Sequence, residues 1–340
     1  MAKSPELSII VPVYNSAQTL APCLHALLDA DGPSREIVVV DDASDDESDK
    51  IAQMPGVRLI KLESNGGPAR ARNEGVKRAR STTIVFIDSD VVIHSDALQR
   101  ILPFFDENPE YCAVFGSYDA EPFAGTPVSL YRNLLHHFTH QCGQREAETF
   151  WTGIGAIKRS AFDHVGGFRD DAAVLEDVDL GLRLRDAGFR IALDKYLLGA
   201  HLKRWTLLSM MKTDVFDRAL PWSKLAFERG GLGRQLNTTY GQRLSVFCAC
   251  LTVILSVVSL GIPWAALLAA VSFLTFMALN VSLFRFFMRR HGIGFAAATV
   301  PLHLVHHLCA ATGFALAALE VLRISGKYIA ARAYRAKYRL

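Results

Sequence analysis

Cysteine is sparse and unpaired in this 340-residue chain: Cys23, Cys112, Cys142, Cys248, Cys250 and Cys309 show neither CxxC spacing nor a paired framework. A disulfide scaffold is therefore excluded, and scattered thiols of this kind suit a reducing compartment and packing roles. An excess of one charge is lacking too. The net charge of +3, with no interleaving of basic and aromatic residues, gives no footprint for nucleic acid. Glycine is missing where a dinucleotide-binding turn needs it. The first apolar run, Leu7 to Val13, is followed by YNSAQT rather than GxGxxG, which excludes a nicotinamide dehydrogenase. The same turn is neither glycine-rich nor basic, which argues against a nucleotidyltransferase gripping a triphosphate there. The amino terminus is polar (MAKSPE) and enters the strand at once, so we expect no signal peptide and a soluble half in the cytoplasm.

Hydrophobic residues make up 50% of the chain and are unevenly placed. Before about Leu244, short apolar runs alternate with helical patterns. LSIIVPV, EIVVV, Val57 to Leu62 and TTIVFI read as buried strands, and the stretches between them as helices, including one over 17–30. That alternation predicts an α/β fold with a mostly parallel sheet covered on both faces. Three of these runs end in polar residues: Tyr14-Asn15 after the first, Asp41-Asp42 after the second, and Asp88-Ser89-Asp90 after the fourth.

The carboxyl edge of such a sheet is where ligands bind. Two carboxylates one residue apart, Asp88 and Asp90, repel each other unless a cation sits between them, and hard ions such as Mg²⁺ or Mn²⁺ take carboxylate and phosphate oxygens together. These residues suggest a nucleotide site. Asp41, with Asp42 nearby, would accept from a base edge, Asp88 and Asp90 would hold the metal on a diphosphate, and Arg72 would neutralise the remaining charge. The plainer alternatives are a solvated Asp-Ser-Asp turn, a helix-capping Asp41-Asp42 pair, and a solvated helix face for Arg70 and Arg72.

In this order and spacing, SIIVPVYNSAQTL, EIVVVDDASDD, NGGPARARNEG and VFIDSD resemble family 2 glycosyltransferases of the GT-A fold. The resemblance covers the first two-thirds of the chain. It implies a Rossmann-like sheet, a nucleotide-sugar donor, a divalent metal at the DxD and inversion at the anomeric carbon. Donor contacts are then expected from Pro12, Tyr14, Asn15, Asp41, Asp42, Gly67, Arg72, Asp88, Ser89 and Arg204. The stretch from Trp151 to Ser160 resembles the acceptor side of the family, with Trp151, Thr152 and Gly153 as acceptor contacts. The resemblance places the catalytic base in the Glu176-Asp177 pair of LEDVDLGLRLR, at Asp177, where a helix start keeps a carboxylate ionised. HLKRW at 201–205 resembles the QxxRW of membrane-embedded relatives with His in place of Gln. His201 would complete the metal site, Arg204 would meet the leaving diphosphate, and Trp205 would stack on the acceptor or mark the membrane interface. His136, His137 and His140 lack a fixed partner in the sequence and read as surface residues.

The second half reads as membrane. From Trp205 to Phe227 an amphipathic pattern, broken at Pro221, would lie on headgroups with Leu208, Met211, Val215, Ala219 and Trp222 on one face and Lys212, Asp214, Asp217 and Arg218 opposite. A polar linker over 230–243 follows. Leu244 to Ile262 and Ala265 to Phe284 are each long enough to span a bilayer. Arg285, Arg289 and Arg290 then mark a cytoplasmic loop, and the basic tail (Arg323, Lys327, Arg332, Arg335, Lys337, Arg339) a cytoplasmic end. The stretch Ile293 to Leu319, interrupted by Pro301 and by His303, His306 and His307, would re-enter or fold as a hairpin; a plain span is the competing reading. The expected organisation is a GT-A domain (1–204), interface helices and linker (205–243), transmembrane helices (244–322) and a basic tail (323–340). The expected function is a metal-dependent inverting glycosyltransferase of the inner membrane, its catalytic domain in the cytoplasm, using a UDP- or GDP-sugar and a hydroxyl of a lipid or lipid-linked acceptor. The alternatives are a polyprenyl-phosphate acceptor and, from another class, a catalytically silent scaffold that binds nucleotide-sugar.

Overall fold

The computed structural model describes residues 4–170, 175–229 and 239–338, the last helix with side chains through 323. The linker residues 230–238, the side chains of Lys327, Arg332, Arg335 and Lys337, and all of Arg339 lie outside the described residues. The chain divides into two compact units, Met1–Trp205 and Thr206–Leu340.

The first unit is built on one nine-stranded sheet. Strands β1 (Leu7–Val13), β2 (Arg35–Asp41), β3 (Val57–Lys61) and β4 (Thr83–Ile87) alternate with helices α1 (Leu20–Asp29), α2 (Ser48–Ile51) and α3 (Gly67–Arg78). They pair in parallel in the order β3-β2-β1-β4. The continuous apolar runs follow from burial on both faces. In β1, Leu7, Ile9 and Val11 pack with Leu20, Leu24 and Leu27 of α1, whereas Ile10 packs on the other face with Ala69, Ala71 and Val76 of α3. Gly75 is required at that second contact, since a Cβ there would lie 2.4 Å from Ile10 Cγ2.

Beyond β4 the sheet is mixed rather than parallel. It continues through β5 (Val91–Ile93), β6 (Tyr111–Tyr118), β7 (Glu146–Ala147), β8 (Ile154–Lys158) and β9 (Arg190–His201). β8 runs antiparallel to both β4 and β6, and β9 lies parallel to β6 and antiparallel to β5. Helices α4 (Ile101–Glu107), α5 (Pro127–Gln141), α6 (Arg159–His164) and α7 (Glu176–Asp186) accompany these strands. The first unit is thus a mixed α/β Rossmann-like fold.

The second unit is helical. α8 (Leu207–Lys212), a π-helical turn (Thr213–Ala219) and α9 (Leu220–Glu228) follow one another directly. Pro221 causes no break: it lies at the start of α9, directly after the π-helical turn, and the chain stays helical through it. The sides of this segment also differ from the expected ones. Asp214 is buried and paired with His306 (2.7 Å), whereas Leu208 is 76% exposed. α10 (Tyr240–Val258) and α11 (Ala265–Leu279) are linked by Ser272 Oγ donating to the Cys248 carbonyl (2.9 Å) and Asn280 Nδ2 donating to Ser245 Oγ (2.6 Å). α12 (Val281–Tyr338) is broken at Gly292, not at Pro301, and runs on through the three histidines. The expected hairpin within 293–319 is therefore absent; the reversal falls just before it. Among the described residues, Tyr240–Val258 and the stretch Val281–Arg323, which contains the break at Gly292, are by length and composition apolar enough to cross a membrane.

Candidate active site

The three polar strand ends form a cross-linked set of loops. The Asn15 N–H donates to Ser44 Oγ (3.0 Å), and Asn15 Oδ1 accepts the Asp45 N–H (2.8 Å). Asn15 and Ala43 both adopt left-handed backbone conformations (φ 52° and 59°), which lets the two loops interlock. Ser16 Oγ lies 2.8 Å from Ser89 Oγ, tying the first loop to the Asp-Ser-Asp turn. The Asp42 carboxylate oxygens accept the Gly66 and Gly67 N–H groups (2.9 and 2.7 Å), so Asp42 fixes the start of α3. Asp41 is buried at the end of β2 and accepts the Ser44 N–H (3.3 Å). Pro12 is half-buried beside it, and Tyr14 is exposed.

Arg72 does not lie on a solvated helix face. It is buried, its Nη2 reaching Asp88 Oδ1 (2.6 Å) and its Nη1 reaching Glu176 Oε1 (2.5 Å). One guanidinium thus ties the strand-end carboxylate of β4 to the first turn of α7, a pairing that the planar fork of arginine makes well. Burial pushes the Asp88 carboxyl up against the pull of Arg72, and Asp90 adds to the rise. Asp177, next to Glu176, is pushed up to about 7 by burial and by the Glu176 charge. Its Oδ1 accepts the Val178 N–H (2.7 Å). Leu175, which introduces this helix, is held in a left-handed conformation (φ 65°).

Asp90 is met from the other side of the sheet. β5 pairs with β9 so that Val91 lies opposite His201, which brings His201 Nε2 to 3.2 Å from Asp90 Oδ2. Burial alone would raise the Asp90 carboxyl, but its bond to His201 and that charge, with Lys203, hold it below the ordinary carboxylate value. His201 Nδ1 faces Asn133 Oδ1 at 2.8 Å, so the ring is held between a side-chain amide and the Asp90 carboxylate. The ring is also stacked on Tyr118 (4.2 Å, 7°), which packs edge-on against Trp151 (4.9 Å). His136 and His140 join this cluster, His136 lying 4.4 Å from Tyr118 and 4.1 Å from His140, so they support the site rather than the surface. Nothing in the sequence marks Asn133 or Tyr118 as partners of His201.

Trp151, Thr152 and Gly153 lie directly behind the acidic turn, the Asp88 N–H pointing at the Gly153 carbonyl (3.4 Å). Trp205 is buried, not exposed at an interface. Its backbone N–H donates to Ser129 Oγ (2.8 Å), and Arg132 (5.4 Å) and Lys203 (4.3 Å) lie over its ring. Arg204 is exposed. Asp88, Asp90 and His201 offer two carboxylates and an imidazole oriented by a second partner, while each carboxylate has an oxygen not taken up by Arg72 or His201. Among the described residues no three or more His, Cys, Asp or Glu groups are already gathered as a metal cage. One or two carboxylates completed by substrate phosphate oxygens is nevertheless the usual way Mg²⁺ is held, so the donor set fits such an ion.

Fold and strand-end acids together define a GT-A-type transferase domain. Residues 8–166 match the family model described as Glycosyl transferase family 2. The chain thus carries a glycosyltransferase family 2 domain over these residues. It is 39% identical over 103 residues to the succinoglycan biosynthesis protein ExoO of Rhizobium meliloti, covering 29% of this chain and 30% of that protein. It is 36% identical over 110 residues to the poly(ribitol-phosphate) beta-N-acetylglucosaminyltransferase TarS of Staphylococcus aureus, covering 30% of this chain and 19% of that protein. Each match thus spans less than a third of the relative. The mannosyltransferase PcManGT from Pyrobaculum calidifontis, solved with GDP-Man and Mn²⁺, shares the fold at a TM-score of 0.58 and 19% identity, over 92% of this chain and 88% of that one.

Proposed function

We propose that this protein is a membrane-anchored inverting glycosyltransferase. It moves a sugar from a nucleotide-sugar, UDP- or GDP-linked, to a hydroxyl of a lipid or lipid-linked acceptor at the cytoplasmic face. The observation that carries this reading is the Arg72 bridge, which holds a strand-end carboxylate suited to the diphosphate beside the acid pair suited to the acceptor. In this reading residues 1–204 are catalytic, 205–243 interfacial, 244–322 membrane-embedded and 323–340 a cytoplasmic tail.

Asp88, Asp90 and His201 would hold Mg²⁺ or Mn²⁺, which when bound offsets charge on the departing nucleoside diphosphate. The complex of the Pyrobaculum mannosyltransferase with GDP-Man and Mn²⁺ is consistent with that donor class. Asp41 reads the base, and Tyr14, Gly67 and Ser89 line the donor side with the Pro12-to-Asn15 turn; Asn15 acts there by shaping the loop. Arg204 meets the diphosphate. Trp151 to Gly153 face the acceptor. Asp177, raised to about 7 and ionised above that pH, takes the acceptor hydroxyl proton. The acceptor oxygen bonds to the anomeric carbon as the bond to the diphosphate breaks, so a single displacement inverts that carbon. Glu176, locked by Arg72, keeps the helix start in place.

A second reading has an observation in its favour. Arg132 and Lys203 flank Trp205 and would suit an acceptor that is itself a phosphate anion, such as a polyprenyl phosphate. That acceptor has no proton to lose and would tolerate Asp177→Asn. The test is release of nucleoside diphosphate by detergent-solubilised protein, across a panel of sugar donors, with native lipid extract and Mn²⁺ or Mg²⁺ against EDTA. Metal-dependent release enhanced by lipid is the expected result. Nucleotide-sugar binding without turnover would leave the scaffold reading in its place, and the absence of both would overturn the transferase reading.

A further inference from the structure

The break in α12 makes a helical hairpin whose outer face has no role in the reaction described above. In a straight helix, Phe287 and Phe295 would lie about 12 Å apart along the axis, and Phe284 and His303 about 28 Å. Their rings are instead 5.6 and 5.7 Å apart. The reversal is made at Gly292, whose φ of +82° is strained for any residue with a side chain. At the base of the hairpin, His303 Nε2 lies 2.9 Å from Asn280 Oδ1, and Asn280 in turn is bonded to Ser245 in the first turns of α10. The hairpin therefore leaves and returns at the end of the α10–α11 pair that carries Arg243, away from the 259–264 turn.

Leu283, Phe284 and Phe287 are buried on the inner face of the outgoing arm. Its outer face exposes Arg285, Arg289 and Arg290 together with Met288 (44% exposed), and Ile293 (76% exposed) follows just past the turn. Long cationic side chains among exposed apolar ones are the composition of a surface that rests in lipid headgroups, apolar stems inward and guanidinium ends at phosphates. The surrounding sequence is strongly cationic: residues 230–340 contain eleven Lys and Arg and a single acid, Glu320.

We propose that the 281–303 hairpin is a binding element for anionic phospholipid headgroups, read through Arg285, Arg289 and Arg290. This rests on the membrane attachment proposed above but not on sugar transfer, because the binding requires no donor. The experiment reconstitutes full-length protein with equal amounts of phosphatidylglycerol and phosphatidylcholine, washes it in detergent, and counts the retained lipids by native mass spectrometry. Wild type should retain phosphatidylglycerol in preference by about ten-fold or more, given the attraction of each basic residue to an anionic surface. The triple variant Arg285→Gln, Arg289→Gln, Arg290→Gln should fall to near parity, whereas the triple Lys variant and the control Arg58→Gln/Lys61→Gln in the first unit should keep the preference. Should the triple Gln variant not fold, the three single Gln variants should each lose part of it. An undiminished preference in the Gln variants overturns the proposal. Release of wild type from membranes by alkaline carbonate would instead overturn the membrane attachment, and nucleotide-sugar turnover would remain to be judged by its own assay.

Discussion

At the residue scale the proposed chemistry turns on Asp177. A carboxyl raised from 3.8 to about 7 stays protonated in the folded chain at a pH where the unfolded chain has released that proton. The stability linked to that proton is lost as pH rises through about 7. Asp177→Asn should therefore melt at a higher temperature than wild type at pH 8, with the difference shrinking as pH falls towards 4. The same variant should lose about 10² to 10⁴-fold in kcat towards a hydroxyl acceptor while still binding donor. In wild type, kcat should rise with pH through about 7, as Asp177 ionises. A variant that melts higher yet retains full activity would remove Asp177 from the reaction. Asp177, Asp88 and Asp90 stood out in the sequence as candidates, the first through the acid pair and the others through the Asp-Ser-Asp turn. The partners that set their properties did not. Arg72 reads as a surface or diphosphate residue because its two carboxylates lie 16 and 104 positions away. His136 and His140 read as exposed because their partners are rings from other elements, which no helical periodicity reveals.

At the element scale, the parallel first half of the sheet was legible because each strand is a continuous apolar run buried on both faces. The mixed second half was not, because strand direction leaves no mark in hydrophobicity. The approach of His201 to Asp90 depends on that hidden β5–β9 pairing. The setting of α7 is likewise a matter of elements. Arg183 pairs with Asp179 (2.8 Å) and donates to the Val165 and Gly167 carbonyls (2.6 and 2.7 Å). The same turn is gripped by Asn73 of α3, which bonds the Phe168 N–H and carbonyl (3.0 and 2.8 Å). α3 thus fixes α7 twice, through Arg72 at its start and through this turn. Arg183→Gln should reduce stability by about 1 to 3 kcal/mol, the range for a buried hydrogen-bonding group left without its partner. If the network aims Asp177, kcat should also fall by about ten-fold or more with donor KM nearly unchanged, since a small misplacement of a reacting group carries a large cost. A loss of melting temperature with unchanged kcat would reduce Arg183 to a structural role.

At the scale of the whole molecule, charge is segregated along the chain. With eleven Lys and Arg against Glu320 after residue 229 and a total of only +3, the first 229 residues are net negative. Within the helical unit the polarity is spatial as well. Arg243, Arg285, Arg289 and Arg290 gather at one end of the α10–α11 pair, whereas the connecting turn exposes Leu260 (88%) and Trp264 (69%) and carries no charge over 259–264. The apolar runs made the helices legible, but the reversal at Gly292 was not, because a hairpin and a straight span share the same hydropathy. Basic residues favour the cytoplasmic side, so the turn should face outward and the hairpin inward. A membrane-impermeant maleimide added to intact cells should then label Ser259→Cys, whereas Ser282→Cys should react only after permeabilisation. The native, exposed Cys142 of the catalytic unit serves as the internal control, reacting only when the membrane is opened. Labelling of Ser282→Cys from outside would invert the arrangement. It would also place the arginine hairpin on the face opposite to the one where a cytoplasmic nucleotide-sugar is found.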